Sequence, residues 1–429
     1  LNTIHSAENT APTKTSSKPD EKFVTFRPDL VAHEWGTFTQ VIGSDGGTSP
    51  WWNPSTEGPT ALPEFVKPVF RIAGKAGARA WTIRMETPVI YFYADREAEL
   101  VVTVDESKVP FTEVYPNVSN PFLLHPTATD TNPERRATPA TDQFRFLRRW
   151  DLQILPPEDG IGRHMPIVSA QGGHYRYARE VPDAWWVVNR EEKAESQLEV
   201  EKFIFYRGAG DDSMPNRIAR VQNESIVFWK SSQPVFLIET DQKTLRWTRV
   251  VPRSSDATNN TAEFAIPSAS PDAQSDVDDL ANALITDLDE AGLTREEAAA
   301  MVATWKEAWL GESGLRVLEI LPREWVDEIL PLVISPEPGR VERVFVARWE
   351  LITPQVENEV LQILTGDSSM EDKMSSLKSL DLGRFSTAVF DRVASIRDMQ
   401  FRSKYSGLMA DLQRPDSEKE NDTVAITAP

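Results

Sequence analysis

The chain has 429 residues, enough for several domains or for one large β-rich body. Its 66 acidic and 46 basic residues leave a net charge of −20, which disfavours nucleic acid and anionic lipid as partners, since both need a basic surface. Cysteine is absent, which excludes disulfides, thiolate nucleophiles and cysteine-based metal or iron–sulfur sites.

The chain opens on a polar stretch from Leu1 to Lys22 with no apolar period. It reads as a disordered tail, left by removal of a signal peptide or by trimming, and the expected location is extracytoplasmic: periplasmic, cell-surface or secreted. Short β-type runs follow at Thr37 to Ile42, Ala80 to Ile83, Val89 to Tyr93, Leu100 to Val104, Leu152 to Leu155 and Tyr175 to Ala178. More come at Trp185 to Val188, Lys202 to Tyr206, Ile226 to Trp229, Val235 to Glu239 and Leu245 to Val251. Branched and aromatic residues dominate them, and Pro, Gly, Asn or Asp bounds many. The polar stretches Gly43 to Pro63, Pro126 to Asp142 and Arg253 to Asp276 separate them as loops. None of the apolar runs approaches the ~18 residues of a membrane span.

The pattern changes at Ser275. Val277, Leu280, Leu284, Ile285 and Leu288 recur at helical spacing, and Gly292 caps the end. Thr294 opens a second helix with Glu297 three residues on, a capping box, and Ala298, Met301, Val302, Trp305 and Trp309 form its apolar stripe. Strands return at Arg316 to Leu321 and Arg343 to Leu351, and a last helical region covers Ser376 to Phe401. The expected class is therefore mainly β with α: an antiparallel, sandwich-like body over 23–252, a linker loop over 253–275, and a part over 276–412 with the helical hairpin, returning strands and C-terminal helix packed on the body. A second disordered tail covers 413–429.

Candidate chemistry is sparse. Asp287-Leu288-Asp289-Glu290-Ala291-Gly292 resembles the start of a calcium loop, but Ala291 and Ala298 hold positions that need oxygen ligands. Of five histidines, His33 beside Glu34 could serve as metal ligand or base, joined by His164 or His174, with Glu34 as the catalytic carboxylate and a divalent ion such as zinc as the cofactor. On a strand, however, adjacent side chains face opposite ways, so His33 and Glu34 share a site only if the backbone is irregular. Glu199 and Glu201 share a strand face. Glu34, Glu86, Asp183 and Glu350 lie in apolar contexts, as do Arg84, Arg179, Arg207, Arg343 and Arg348, which reads better as buried Glu–Arg networks than as a carboxylate active site. Thirteen tryptophans are many, and Trp51 and Trp52 in the Gly/Pro-rich loop, with Trp185 on a strand, are candidates for stacking on sugar rings. Phosphate loops, nucleophile elbows, zincin signatures and dinucleotide fingerprints are absent.

His33-Glu34-Trp35-Gly36-Thr37-Phe38-Thr39, Met85-Glu86-Thr87-Pro88-Val89-Ile90-Tyr91-Phe92-Tyr93, Glu201-Lys202-Phe203-Ile204-Phe205-Tyr206-Arg207-Gly208 and Ala300-Met301-Val302-Ala303-Thr304-Trp305 together resemble an uncharacterised family of exported bacterial proteins with no established activity. The resemblance implies export and one integrated body over about Val31 to Thr353, and transfers no catalytic residue. The leading functional expectation is an envelope-associated protein that binds a glycan, a polysaccharide or an envelope protein. The alternatives are a metal-dependent hydrolase using His33, Glu34 and His174, and a purely structural or protein-interaction role.

Overall fold

The computed structural model describes residues 26–52, 62–69, 81–118, 122–124, 145–168, 173–189, 198–210, 214, 216–241, 243–253, 260–397, 399–405 and 407–408. The expected tails 1–22 and 413–429 and the expected loop 126–142 lie outside the described residues. In chain order the first strands are β1 (Phe26–Ile42), β2 (Thr48–Ser49), β3 (Lys67–Pro68), β4 (Ile83–Tyr93), β5 (Ala98–Asp105), β6 (Phe111–Tyr115), β7 (Phe122–Leu124) and β8 (Arg145–Leu155). A short helix α1 (Gly173–Tyr177) precedes β9 (Trp186–Asn189), β10 (Val200–Glu201), β11 (Ile204–Gly210), β12 (Ile218–Val221), β13 (Ser225–Trp229), β14 (Val235–Thr240), β15 (Leu245–Val250) and β16 (Thr261–Ala265). The remainder is α2 (Val277–Glu290), α3 (Arg295–Lys306), β17 (Gly314–Ile320), α4 (Arg323–Ile329), β18 (Leu332–Ser335), β19 (Glu337–Leu351), α5 (Pro354–Thr365), α6 (Met370–Ser379), α7 (Ser386–Arg397) and α8 (Met399–Lys404). No helix among the described residues is long and apolar enough to cross a membrane.

A ten-stranded sheet in the order β15-β14-β17-β19-β1-β4-β11-β6-β3, with β2 on β1, forms the backbone of the molecule. A six-stranded sheet (β10-β9-β8-β5-β18, with β7 on β8) and a three-stranded sheet (β12-β13-β16) accompany it. The protein is thus mainly β with antiparallel sheets. The exception is the central pair β1 and β19, which run parallel. They lie nearly three hundred positions apart in sequence, and strands joined by so long an excursion are free of the hairpin constraint. Because β17 and β19 lie between β14 and β1, the residues beyond 276 complete the main sheet rather than pack on a finished body.

Side-chain alternation makes each face of the main sheet a different interior. One face carries Ala32, Phe38, Ile90 and Phe345 and packs on Leu100, Trp150 and Leu152 of the six-stranded sheet and on Ile226 and Phe228 of the three-stranded one. The other face carries Trp35, Tyr91 and Val344 beneath Leu284, Met301 and Trp305 of the α2–α3 hairpin. Farther along that face Val41 and Ile352 lie beneath Val389 and Phe390 of α7. The hairpin forms as its sequence predicts: Gly292 turns the chain at φ 116°, and Thr294 with Glu297 closes a capping box; Asp276, not singled out in the sequence, caps α2.

Three expectations need correction. The linker loop expected at 253–275 contains β16, which pairs with β13 along its whole length. The strand expected at Tyr175 to Ala178 is part of the helical turn α1, whose Tyr175 is buried against Phe203 and Phe205. Helix α5 was not expected; Thr353 accepts from Val356 N, and Pro354 occupies its first turn, where a missing N–H costs nothing.

Candidate functional site

The motif strings meet at a bulge. The β1–β4 register slips between Trp35 and Thr37, and Thr87 adopts a left-handed φ of 47°. A Cβ on Gly36 would stand 2.8 Å from the Phe345 ring and 3.0 Å from Pro88 Cα, so glycine is required by close approach. These residues build the centre of the sheet.

His33 and Glu34 point to opposite faces, as alternation requires. His33 faces the hairpin. Its Nδ1 lies 2.8 Å from Glu297 Oε2 and its Nε2 lies 3.0 Å from Arg340 Nη2. A guanidinium has only donors, so Nε2 accepts and Nδ1–H donates to Glu297. The same carboxylate accepts from Tyr93 Oη at 2.6 Å and from Thr294 N at 2.7 Å. The capping-box glutamate is therefore also the anchor of the hairpin on the sheet, a partner for His33 that local sequence does not disclose. Glu34 faces the other way, fully buried, and accepts from Arg343 Nε and Tyr206 Oη; Arg343 also donates to Asp327 at 2.8 Å.

The remaining expected ligands do not join them. His174 Nδ1 donates to Thr304 O at 3.1 Å, and His164 Nε2 accepts from Arg163 Nε at 3.0 Å. Among the described residues no group of three His, Asp or Glu side chains could hold a metal ion. The metal set His33, His164 and His174, with Glu34 as catalyst, is thus not assembled: each member is held in a separate contact. Glu201 is clamped by Arg179 at 2.6 Å and Tyr175 at 3.1 Å, while Glu199 accepts from Asn117 N at 2.8 Å.

The expected aromatic platform is also corrected. Trp51, Trp52 and Trp185 are all buried. Trp52 pairs its backbone with Trp81, and its ring lies 3.9 Å beneath the Arg84 guanidinium. Trp51 packs at a tilt against the Phe385 ring and donates to Thr82 O at 3.1 Å. Trp185 lies in the core between the two large sheets. Segments remote in sequence cover these rings, so loop composition alone gave the opposite expectation.

The Glu–Arg networks are present and larger than the sequence implied. A stripe of charge crosses the helix-covered face of the main sheet through Arg316 on β17, Arg348 and Glu350 on β19, Glu86 and Arg84 on β4, Arg207 on β11 and Glu113 on β6. From the helices, Arg384 donates to Glu86 at 2.8 Å and lies 3.6 Å from Glu312, which accepts from Arg348 at 2.7 Å. Burial would raise the Glu86 carboxyl, but Arg384, with Arg84 and Arg207, outweighs it and holds the group at about 2. Burial and the neighbouring Arg84 push Arg207 down to about 10.

At the end of this stripe a cleft of about 860 Å³ opens between the β14–β15 turn, the segment after β16 and the C-terminal helices. Its buried lining includes Ile266, Leu315, Ile352 and Phe385, and its exposed lining includes Asp241, Lys243, Arg246 and Asp381. Glu350 reaches it from the stripe. Its Oε2 accepts from Arg316 Nε at 3.1 Å and from Arg348 Nη2 at 2.8 Å. Among the described residues its Oε1 accepts only from Arg316 Nη2, at 3.3 Å, and it occupies the space over Gly314, where a Cβ would be 2.3 Å away. On the adjoining strand, opposite Gly314, Thr240 is buried and its hydroxyl has no partner among the described residues.

No protein-family model matches the chain, and no curated protein matches it in sequence. Among solved structures, the Fcho1 μ homology domain of Danio rerio with bound Eps15 peptide matches 75% of this chain and 96% of its own, at 8% identity and a TM-score of 0.26. A likeness so remote bears on neither fold nor function.

Proposed function

We propose that this is an extracytoplasmic binding protein that captures its partner in the cleft beside β14 and α5. One observation carries the reading. The cleft is of ligand-pocket size, with buried apolar side chains beside the buried Glu350 and Thr240 in its interior and a polar rim. The side chains suited to catalysis, His33, Glu34 and Glu201, are meanwhile engaged in buried contacts. The location rests on the resemblance to exported proteins.

Ser268 is exposed on the cleft wall, and its backbone N–H donates to Glu239 independently of its side chain. Ser268→Trp should therefore plug the recess without unfolding the protein. Neutral polysaccharides and short peptides are passed over the immobilised protein and its plugged variant. Retention by the parent alone is the expected outcome. Equal retention by both would place recognition elsewhere.

A further inference from the structure

We propose that Arg217 is a proton-controlled latch: it rests on the Trp325 ring while Glu319 carries a proton, and it turns onto the Glu319 carboxylate once that proton leaves. None of the three residues lines the cleft, so the latch stands or falls separately from ligand capture.

Alternation along β17 sends Glu319 to the same side as Leu315 and Val317, into the apolar layer between the sheets. Its register partners, Val235 on β14 and Ala347 on β19, are apolar. The side chain is fully enclosed, and neither oxygen accepts a hydrogen bond among the described residues. Arg217 stands just short of it. Its Nε lies 3.5 Å from Glu319 Oε1 and makes no hydrogen bond among the described residues either. The guanidinium is held instead 4.0 Å over the ring of Trp325, which is half-buried on α4. The backbone around Arg217 is fixed: its carbonyl accepts from Trp229 N at 2.8 Å, and the next residue, Ile218, is buried. Only the side chain has two places to go.

Protonation decides between the two places. A carboxyl enclosed without a donor favours its neutral form, and burial raises Glu319 to about 7. Among the described residues Arg217 is the charge that acts on it. The charged groups of α4 are engaged elsewhere or face solvent: Arg323 pairs with Asp327, Asp327 also with Arg343, Glu328 with Lys108, and Glu324 is exposed. While Glu319 is neutral it gives the guanidinium no charge to pair with, and the face of Trp325 holds the cation. Once ionised, the carboxylate lies in a dry layer with one cation beside it. A charge-assisted hydrogen bond there outweighs a cation–π contact at the edge of solvent. A movement of Nε by less than about 1 Å brings it to hydrogen-bond length and draws the guanidinium off the ring. The latch therefore lies on Trp325 below about pH 7 and on Glu319 above it. The start of the three-stranded sheet is tied to α4 in the first state and to the main sheet in the second.

Indole N–H resonances of the full protein labelled with nitrogen-15 tryptophan report the latch, with Trp325→Phe identifying the Trp325 signal. The signal is followed between about pH 5 and pH 9, a range that brackets a carboxyl raised by burial. In the parent it should shift with a midpoint near 7. Glu319→Gln keeps the shape and removes the charge, so the shift should vanish. Arg217→Met removes the cation from a partly exposed position, and the Trp325 signal should again stay constant. A signal that does not move in the parent would overturn the proposal. So would a shift of equal size in Glu319→Gln, which would assign it to another titrating group. A shift kept in Arg217→Met but lost in Glu319→Gln would also overturn it, because the proton would then reach Trp325 without the arginine.

Discussion

Glu319 on β17 should make the stability of this protein fall as pH rises toward neutrality. Its side chain projects into the layer between the main sheet and the smaller sheets, where it is fully buried. Neither carboxylate oxygen has a hydrogen bond among the described residues, and the nearest charge, Arg217 Nε, is 3.5 Å away. That guanidinium lies 4.0 Å over the Trp325 ring rather than square on the carboxylate. Burial pushes the group up to about 7, with Arg217 opposing it only in part. A carboxyl whose folded value lies above its unfolded value holds its proton more tightly when folded. Its contribution is complete below about pH 4.5 and is lost as pH rises through about 7. A shift of this size corresponds to about 3 kcal/mol. Glu319→Gln removes the titration while keeping the shape. Urea unfolding of both proteins at pH 5, 6, 7 and 8 isolates the effect, because other titrating groups cancel in the difference. The variant should gain on the parent by up to about 3 kcal/mol between pH 5 and pH 8, with equal m values. Parallel stability curves would refute the reasoning and mean that the carboxylate is solvated or fully paired in solution.

Two further outcomes follow from the packing. Trp305 is buried beneath the hairpin and stacked on Trp309, so Trp305→Ala should lower stability by roughly 3–5 kcal/mol, read by thermal or urea unfolding. Arg384→Met should cost about 3 kcal/mol at neutral pH by leaving Glu86 buried without its main partner. Glu86 is depressed in the folded state, so its contribution is present above about 4.5 and lost as pH falls through about 2. The deficit of the variant should accordingly narrow in acid; a deficit constant with pH would mean that lost packing, not charge, is responsible.

What was legible in the sequence was local. The capping box at Thr294 and Glu297, the turn at Gly292 and the apolar stripe of α3 are decided by residues a few positions apart, and they form as read. Alternation along β1 correctly separated His33 from Glu34. The Glu–Arg networks were visible as charges in apolar contexts, because such groups must pair when buried. The failures were long-range. Trp51 and Trp52 sit in a Gly/Pro-rich segment that composition marks as exposed, yet Trp81, Arg84 and Phe385 cover them from distant positions. The partner of Glu86 is Arg384, nearly three hundred positions away, and nothing near either residue names the other. Thr240 looks like an ordinary strand residue; its buried, unpartnered hydroxyl is a property of the packed state among the described residues, and Gly314 opposite it leaves room for the Glu350 carboxylate.

The buried charge stripe and the cleft belong to one argument. Hydrophobic residues of similar volume would often stabilise such a seam as well as ion pairs do, so stability alone does not explain the arrangement. Geometry does. Arg384 joins Glu86 on the sheet to Glu312 at the end of the hairpin segment, which fixes the C-terminal helices at one position on the face. Those helices form one wall of the cleft. Arg316 also donates to Trp309 O at 2.8 Å and to Glu312 O at 2.6 Å, which locks its guanidinium before it touches Glu350. Arg348, held by Glu312, meets the same Glu350 oxygen. Two immobilised arginines thus set Glu350 in one orientation, with Oε1 over Gly314. A ligand met by a carboxylate already fixed in place loses no binding energy to ordering that side chain. On the proposed reading of the cleft, the stripe plays the part of a supporting shell: it holds the Glu350 carboxylate in the lining still.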